Sequence, residues 1–436
     1  MDDGVMRPGL GGCMMPALAQ EEADTTRLVL SLDSARQVAM EHNRTLKNAS
    51  IDVQKAEASR WQNIAGMLPQ VNASLDYQNM LGYEIPFRVE ETNMEMRIAM
   101  PASGSIGITA AVAFSGAQVV AANLGTIAMR MADITQRQTE QQIGNQVKNI
   151  YYSILVMEET IGLLEKNLVN IEKLHATTQR SVDVGVAEQV DADQLSIQVA
   201  TMKTTISTNR RSLEMLYNSM RLQLGVPADT PLTLSQTIDE LINIDNAVAL
   251  LGEEFVIANN YDYQLLQQSV EQARKQVKLN EWAYGPSLSA YYQYTARTYF
   301  GQESGFNMTP PNMIGVTLSV PIFSSGKNFT AVKAAKLDYQ KQLNTLADTE
   351  ESLYIQHSQL RYNLASAFET YDTQKKNVEV TQRVLTNISN KYEHGYASSL
   401  EVTDANTNLL TAQSSYVQAL LELVNAQIEL EELLNK

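Results

Sequence analysis

The sequence predicts a mainly α-helical chain, duplicated within itself, whose long helices coil together and whose few strands are of the membrane type. Three observations predict it. The two halves of the 436 residues match at a nearly constant offset. Two stretches of about 65 residues hold apolar residues at helical spacing with no internal proline. Four strand-length segments alternate apolar and polar residues.

The duplication rests on identities. A shift of 217 aligns Asn43 with Asn260, Val53 with Val270, Ala56 with Ala273 and Pro69 with Pro286. A shift of 208 aligns Gly107-Ile108-Thr109 with Gly315-Val316-Thr317, and one of 210 aligns Gly185 with Gly395. Phe114-Ser115-Gly116 answers Phe323-Ser324-Ser325-Gly326. Small insertions account for the drifting offset, and the chain reads as a tandem repeat.

Taken in order, the first 19 residues read as a leader remnant. Met14-Met15-Pro16-Ala17-Leu18-Ala19 ends in a small-x-small pattern, but Met1 to Gly12 lacks the basic and apolar regions of a complete signal. Cleavage is expected after Ala19, with Leu10-Gly11-Gly12-Cys13 as a competing lipoprotein-like box. A helix is predicted over Asp33 to Met67, ending before Pro69, since proline re-aims a chain that leaves a helix. Val71, Ala73, Leu75 and Tyr77 then share one strand face opposite Asn72, Ser74, Asp76 and Gln78. Ile106, Ile108, Ala110, Val112 and Phe114 form a second apolar face. A long helix over Ala117 to Arg180, the turn at Gly185 and a helix over Ala187 to Leu224 complete the half. Gly225-Val226-Pro227 to Asp245 interrupts the pattern and reads as the seam.

The second half repeats this order, with helices over Ala247 to Trp282, Lys327 to Lys391 and Ser399 to Leu434, and Pro286 in the place of Pro69. Its strands place Leu288, Ala290, Tyr292, Tyr294 and Ala296 on one face, and Ile314, Val316, Leu318, Val320 and Ile322 on another. Helices this long without caps mean coiled coil. In each half the two short helices together nearly equal the long one, so they can stack end to end along it and leave Gly185 and Gly395 at one end of a rod.

Composition excludes whole classes. With 33 basic against 49 acidic residues, a net charge of -16 and a pI near 4.8, the surface does not suit a nucleic-acid partner. Cys13 is the sole cysteine, and His42, His175, His357 and His394 share no ligand spacing, so neither a metal site nor a thiol nucleophile is expected. No glycine-rich phosphate loop, HExxH or GxSxG motif occurs, and no catalytic residue or cofactor is expected. Mean hydropathy is -0.22, and no run reaches the ~18–20 apolar residues of a spanning helix. Alternating strands of about ten residues are what outer-membrane barrels use, although a soluble sheet seated on a core alternates as well. A lipid-embedded sheet cannot keep open edges, and four strands cannot close a barrel alone. Two chains would supply eight strands with a filled interior, and three would supply twelve with room for an aqueous passage.

Together these residues resemble the TolC family of outer membrane factors over nearly the whole mature chain. The matching features are Leu30-Ser31-Leu32-Asp33 with Ala35 and Asn43, Leu68-Pro69, Leu224-Gly225-Val226-Pro227, Val184-Gly185-Val186 and His394-Gly395-Tyr396, with Val190-Asp191 and Leu400-Glu401-Val402 following the turns. The resemblance implies a homotrimer with a 12-stranded β-barrel in outer-membrane lipid and a periplasmic α-barrel. Such a trimer is the passive exit duct of a tripartite efflux pump or type I secretion system, partnered by a periplasmic adaptor (membrane fusion) protein and an inner-membrane transporter, in a Gram-negative cell. The chain then divides into a leader at 1–19, a first repeat at 20–225, an equatorial linker at 226–245 and a second repeat at 246–436.

The resemblance also assigns sites. Gly185, Val186, Gly395 and Tyr396 fall at the adaptor-docking tips, where glycine permits a tight reversal. Glu401 and Asp404 match acidic rings at the periplasmic gate, and six carboxylates in a trimer would favour cations and couple their titrations. Glu401 equally fits a local capping box with Ser398. Asp191 and Tyr392 match closing contacts, but their basic partner is absent because Ala397 occupies its position, so a hydrogen bond from the Tyr392 hydroxyl to Asp191 is expected instead. The competing reading is a periplasmic coiled-coil adaptor or scaffold without a pore.

Overall fold

A computed structural model of the chain describes residues 27–89, 94–241, 244–300 and 310–436. The leader, with Cys13 and Ala19, lies outside these residues. The first half opens with β1 (Leu28–Leu30), α1 (Leu32–His42) and α2 (Arg44–Ala65). The single helix expected over Asp33 to Met67 is therefore two. Asn43 divides them: its backbone is extended, and its side-chain Oδ1 accepts from the N–H groups of Thr45 and Leu46 to cap α2.

Past Pro69 come β2 (Gln70–Gln78), a hairpin of β3 (Glu84–Val89) and β4 (Met94–Ala99), β5 (Ser103–Ser115), α3 (Gly116–Asp183) and α4 (Gln189–Leu224). The β3–β4 hairpin lies beyond the two strands expected in this half. The seam contains β6 (Leu232–Leu234), α5 (Ile238–Leu241) and the start of α6 (Ile244–Leu251). A loop with a single 3₁₀ turn separates α6 from α7 (Tyr261–Glu281), so the helix expected over Ala247 to Trp282 is also interrupted. Asn260 caps α7 through the N–H of Tyr263, as Asn43 caps α2. The identity of these two asparagines in the repeat is thus a duplicated helix start. Then follow β7 (Ser287–Tyr299), β8 (Asn312–Ser319), α8 (Lys327–Glu393) and α9 (Ser399–Leu434). Strand β8 stops before Val320 and Ile322, because its last residue Ser319 pairs with Ser287, where the partner strand β7 begins just after Pro286.

At 68 and 67 residues, α3 and α8 are each about 100 Å long. Shorter helices stack along them. Asn43 Nδ2 donates to the carbonyl of Gln223 at 2.8 Å, which joins the start of α2 to the end of α4. In the second half Asn435 Nδ2 donates to the carbonyl of Asn259 at 2.9 Å, joining α9 to the approach of α7. Gly225, at φ +69°, lets α4 end against α1: a Cβ there would lie 2.4 Å from the His42 carbonyl oxygen.

The main core crosses both halves where these joints meet. Tyr151, Ile154 and Val147 of α3 pack with Leu420 and Leu430 of α9, with Leu224 and with Leu364 of α8. Strands β1 and β6 pair in parallel beside this core, and the buried Tyr151 hydroxyl donates to the Leu30 carbonyl at 3.0 Å. Lys148 and Glu431, both mostly buried, form an ion pair between α3 and α9.

The four expected strands form one antiparallel sheet in the order β2-β5-β7-β8. Its register brings the apolar sets together. Ala73 lies opposite Ile108, which lies opposite Tyr294; Phe114 lies opposite Leu288, which lies opposite Leu318. One face is therefore apolar across all four strands, and that face is exposed: Leu75 is 81 % exposed, Ile314 79 % and Val316 68 %. The polar positions Gln293, Thr295 and Arg297 are the more covered ones on β7. A soluble sheet seated on a core would show the opposite burial.

Candidate functional site

Each long helix ends in a turn that the sequence encodes twice. In the first, Gly185 adopts φ +78°, its N–H donates to the Val182 carbonyl at 2.9 Å, and the Val186 N–H reaches back to the Ser181 carbonyl at 2.8 Å. In the second, Gly395 adopts φ +76°, its N–H donates to the Tyr392 carbonyl at 3.0 Å, and the Tyr396 N–H reaches the Lys391 carbonyl at 2.8 Å. These are the two bonds of a Schellman motif, and they satisfy carbonyls that a helix end leaves open. A left-handed residue at this position strongly favours glycine. The turns leave Val186 81 % exposed and Tyr396 84 % exposed, apolar groups held out at the end of a rigid hairpin.

The helices that follow start differently. Ser398 caps α9 in a complete capping box: its hydroxyl accepts from the Glu401 N–H at 3.2 Å, and Glu401 Oε2 accepts from the Ser398 N–H at 2.7 Å. Those hydrogen bonds, from the Ser398 backbone first, hold the Glu401 carboxyl below its ordinary range. Glu188 stands at the same place before α4 and makes no side-chain cap. Asp191, the counterpart of Glu401, instead accepts from the Ser399 hydroxyl at 2.8 Å. One acid caps its own helix and the other ties one hairpin to the next.

The expected hydrogen bond between Tyr392 and Asp191 is not formed. Asp191 is engaged by Ser399, and the Tyr392 hydroxyl lies 2.7 Å from Oγ1 of Thr178, a fully buried residue of α3. Both residues do bridge the α3–α4 and α8–α9 hairpins, through partners that sequence reasoning missed. The repeat carries the signal for Thr178: a shift of 210 pairs it with Ile388, a polar group where the other copy is apolar. Beneath the tip Val402, Ala405 and Leu409 of α9 pack on Leu385 of α8, with Ile388 and Tyr392 at the margin. Asp404 shares the exposed face of α9 with Glu401, on the side away from this packing.

At the opposite end, Pro69 and Pro286 stand immediately before β2 and β7. Gly66 caps α2, and a 3₁₀ turn at Trp282–Tyr284 ends the helical run before Pro286. The Trp282 ring fills the junction so closely that a Cβ on Gly116, the first residue of α3, would come within 2.2 Å of it. Trp282 is a junction residue that sequence reasoning missed.

Among the described residues no helix is long and apolar enough to cross a membrane, and no group of three or more potential metal ligands occurs. The membrane contact belongs to the sheet. A lipid-facing antiparallel sheet mounted on helical hairpins of about 100 Å defines an outer-membrane channel with a large periplasmic portion.

The model of outer membrane efflux proteins matches residues 35–226 and 255–436, one match for each half. The chain belongs to the outer membrane efflux protein family. It is 22% identical over 411 residues to the probable efflux pump outer membrane protein TtgC of Pseudomonas putida, covering 92% of this chain and 82% of that one. Among solved structures it is similar to the outer membrane protein VceC of Vibrio cholerae, with a TM-score of 0.73 at 17% identity over 92% of this chain and 95% of that one. It is also similar to the open state of the MtrE outer membrane channel of Neisseria gonorrhoeae, with a TM-score of 0.72 at 17% identity over 92% of this chain and 88% of that one.

Proposed function

We propose that three copies of this chain close one 12-stranded barrel above one helical tunnel and act as the passive exit duct of a tripartite efflux system. The observation that carries the reading is the sheet: its outer face is apolar and exposed, and among the described residues β2 and β8 each keep one edge without a strand partner. In lipid such edges must be paired. Because β8 runs antiparallel to β2, β8 of one copy can pair with β2 of the next, a head-to-tail contact that closes by rotation. Three copies rather than two leave a lumen wide enough for a duct.

At the other end, the exposed tips at Gly185-Val186 and Gly395-Tyr396 would receive the hairpins of a periplasmic adaptor, and an inner-membrane transporter would supply the energy. Glu401 and Asp404 would ring the mouth. In this arrangement the Thr178–Tyr392 and Asp191–Ser399 hydrogen bonds hold the hairpins of each copy together in the closed state and must part or slide when the tip opens. The protein supplies passage and no energy source of its own, and residues 226–245 join the two repeats.

Single-channel recording of the purified protein in planar bilayers, with the mass of the solubilised particle, tests the reading. A particle near three times 48.4 kDa with discrete cation-selective steps is expected. Asp404→Ala should relieve block by trivalent cations. Unchanged block would remove Asp404 from the ring, and a soluble monomer without conductance would favour an adaptor or scaffold.

A further inference from the structure

Below the tips, α3, α4 and α9 line a partly open cavity of about 780 Å³. Its wall begins at Asn406, roughly 10 Å along α9 from the tip. No Asp, Glu, Lys or Arg lines it, although the chain carries 33 basic and 49 acidic residues. Aliphatic and methionine side chains, Val156, Leu164, Met202 and Leu410 among them, make up about half of the lining, and uncharged hydroxyl and carboxamide residues make up the rest.

Four carboxamides, Gln198, Asn209, Asn406 and Gln413, interrupt that lining, and two of them carry a buried atom without a partner. Asn406 is only 4 % exposed, and its Nδ2 has no hydrogen-bond partner among the described residues; Oε1 of Gln198, across on α4, is buried and equally unpartnered. Nearby, Asn167 Nδ2 donates to Gln413 Oε1 at 2.7 Å, so this part of the coiled coil does pair its buried amides where partners are in reach. Asn406 and Gln198 therefore stand as an unmatched donor and an unmatched acceptor on two helices that line the same uncharged cavity, an arrangement that is costly when empty.

We propose that this cavity is a binding site for uncharged, largely apolar molecules that carry a carboxamide or a similar adjacent donor and acceptor. Such a group accepts from Asn406 Nδ2 and donates to Gln198 Oε1. The volume suits a drug-sized molecule. A charged ligand would lose its hydration with no counter-charge in the wall, and a purely apolar one would leave both amides unpaired. The same two side chains border a second cavity, of about 230 Å³, that reaches Tyr392, so an occupant would adjoin the contacts that tie the hairpins. The site does not rest on the acidic ring or on adaptor docking.

The test is equilibrium dialysis of the full chain in lipid nanodiscs, with empty nanodiscs correcting for partition into lipid. Three tritiated probes separate the terms: benzanilide, trans-stilbene of the same shape without the amide, and 4-carboxybenzanilide. Saturable benzanilide binding is expected, with stilbene about tenfold weaker and the carboxylate not bound. Asn406→Leu should weaken benzanilide about tenfold and leave stilbene unchanged. Thr407→Trp, at the exposed rim, should abolish binding of both and serves if Asn406→Leu does not fold. Absence of saturable binding, as when a neighbouring copy seals the cavity, would overturn the proposal. So would equal retention of the three probes, or benzanilide binding unchanged in both variants.

Discussion

Glu401 shows how one side chain serves two scales. Its carboxylate accepts from Ser398 and starts α9, and it lies exposed beside Asp404. Because the folded carboxyl titrates below its ordinary value of 4.5, its contribution is fully present above that value and is lost as pH falls through the lowered one. Glu401→Gln should therefore flatten the acid dependence of hydrogen exchange at the first amides of α9 while exchange in the helix interior stays unchanged. The capping box was legible from Ser398 and Glu401 three residues apart. The partner of Tyr392 was not, because Thr178 lies 214 residues away and only the meeting of the α3–α4 hairpin with the α8–α9 hairpin brings the two together.

Among the elements, Asn43 decides where one helix becomes two and where α4 meets it. Asn43→Ala removes the cap of α2 and leaves the Gln223 carbonyl without its side-chain donor. A loss of about 1–3 kcal/mol in stability is expected in denaturant unfolding. At the opposite junction, Gly116→Ala would drive a methyl into the Trp282 ring, and a loss of about 1–3 kcal/mol is expected from the shift this forces. Helical period marked the long helices to within a few residues, because their apolar seams are continuous. It ran through Asn43 and through the loop before Asn260, where capping geometry and close backbone approach set the boundary rather than periodicity.

For the whole molecule, the exposed apolar face of the sheet decides what surrounds it. Val316 faces outward at the middle of β8, and Thr317 lies on the opposite face. Val316→Arg should cost ~2–4 kcal/mol in a bilayer and lower the temperature at which the assembled band dissociates on gels, while Thr317→Arg leaves that temperature nearly unchanged. Equal effects would mean that lipid does not cover the apolar face.

The sequence by itself determined the duplication, the alternating strands, the long coiled-coil helices and the glycine turns, because each is written in local spacing that physics reads over a few residues. Tertiary structure alone decided the strand order, the parallel pairing of β1 with β6, the joints at Asn43 and Trp282 and the partners of Asp191 and Tyr392. Those depend on which residues meet across hundreds of positions, and only the packed chain specifies such meetings.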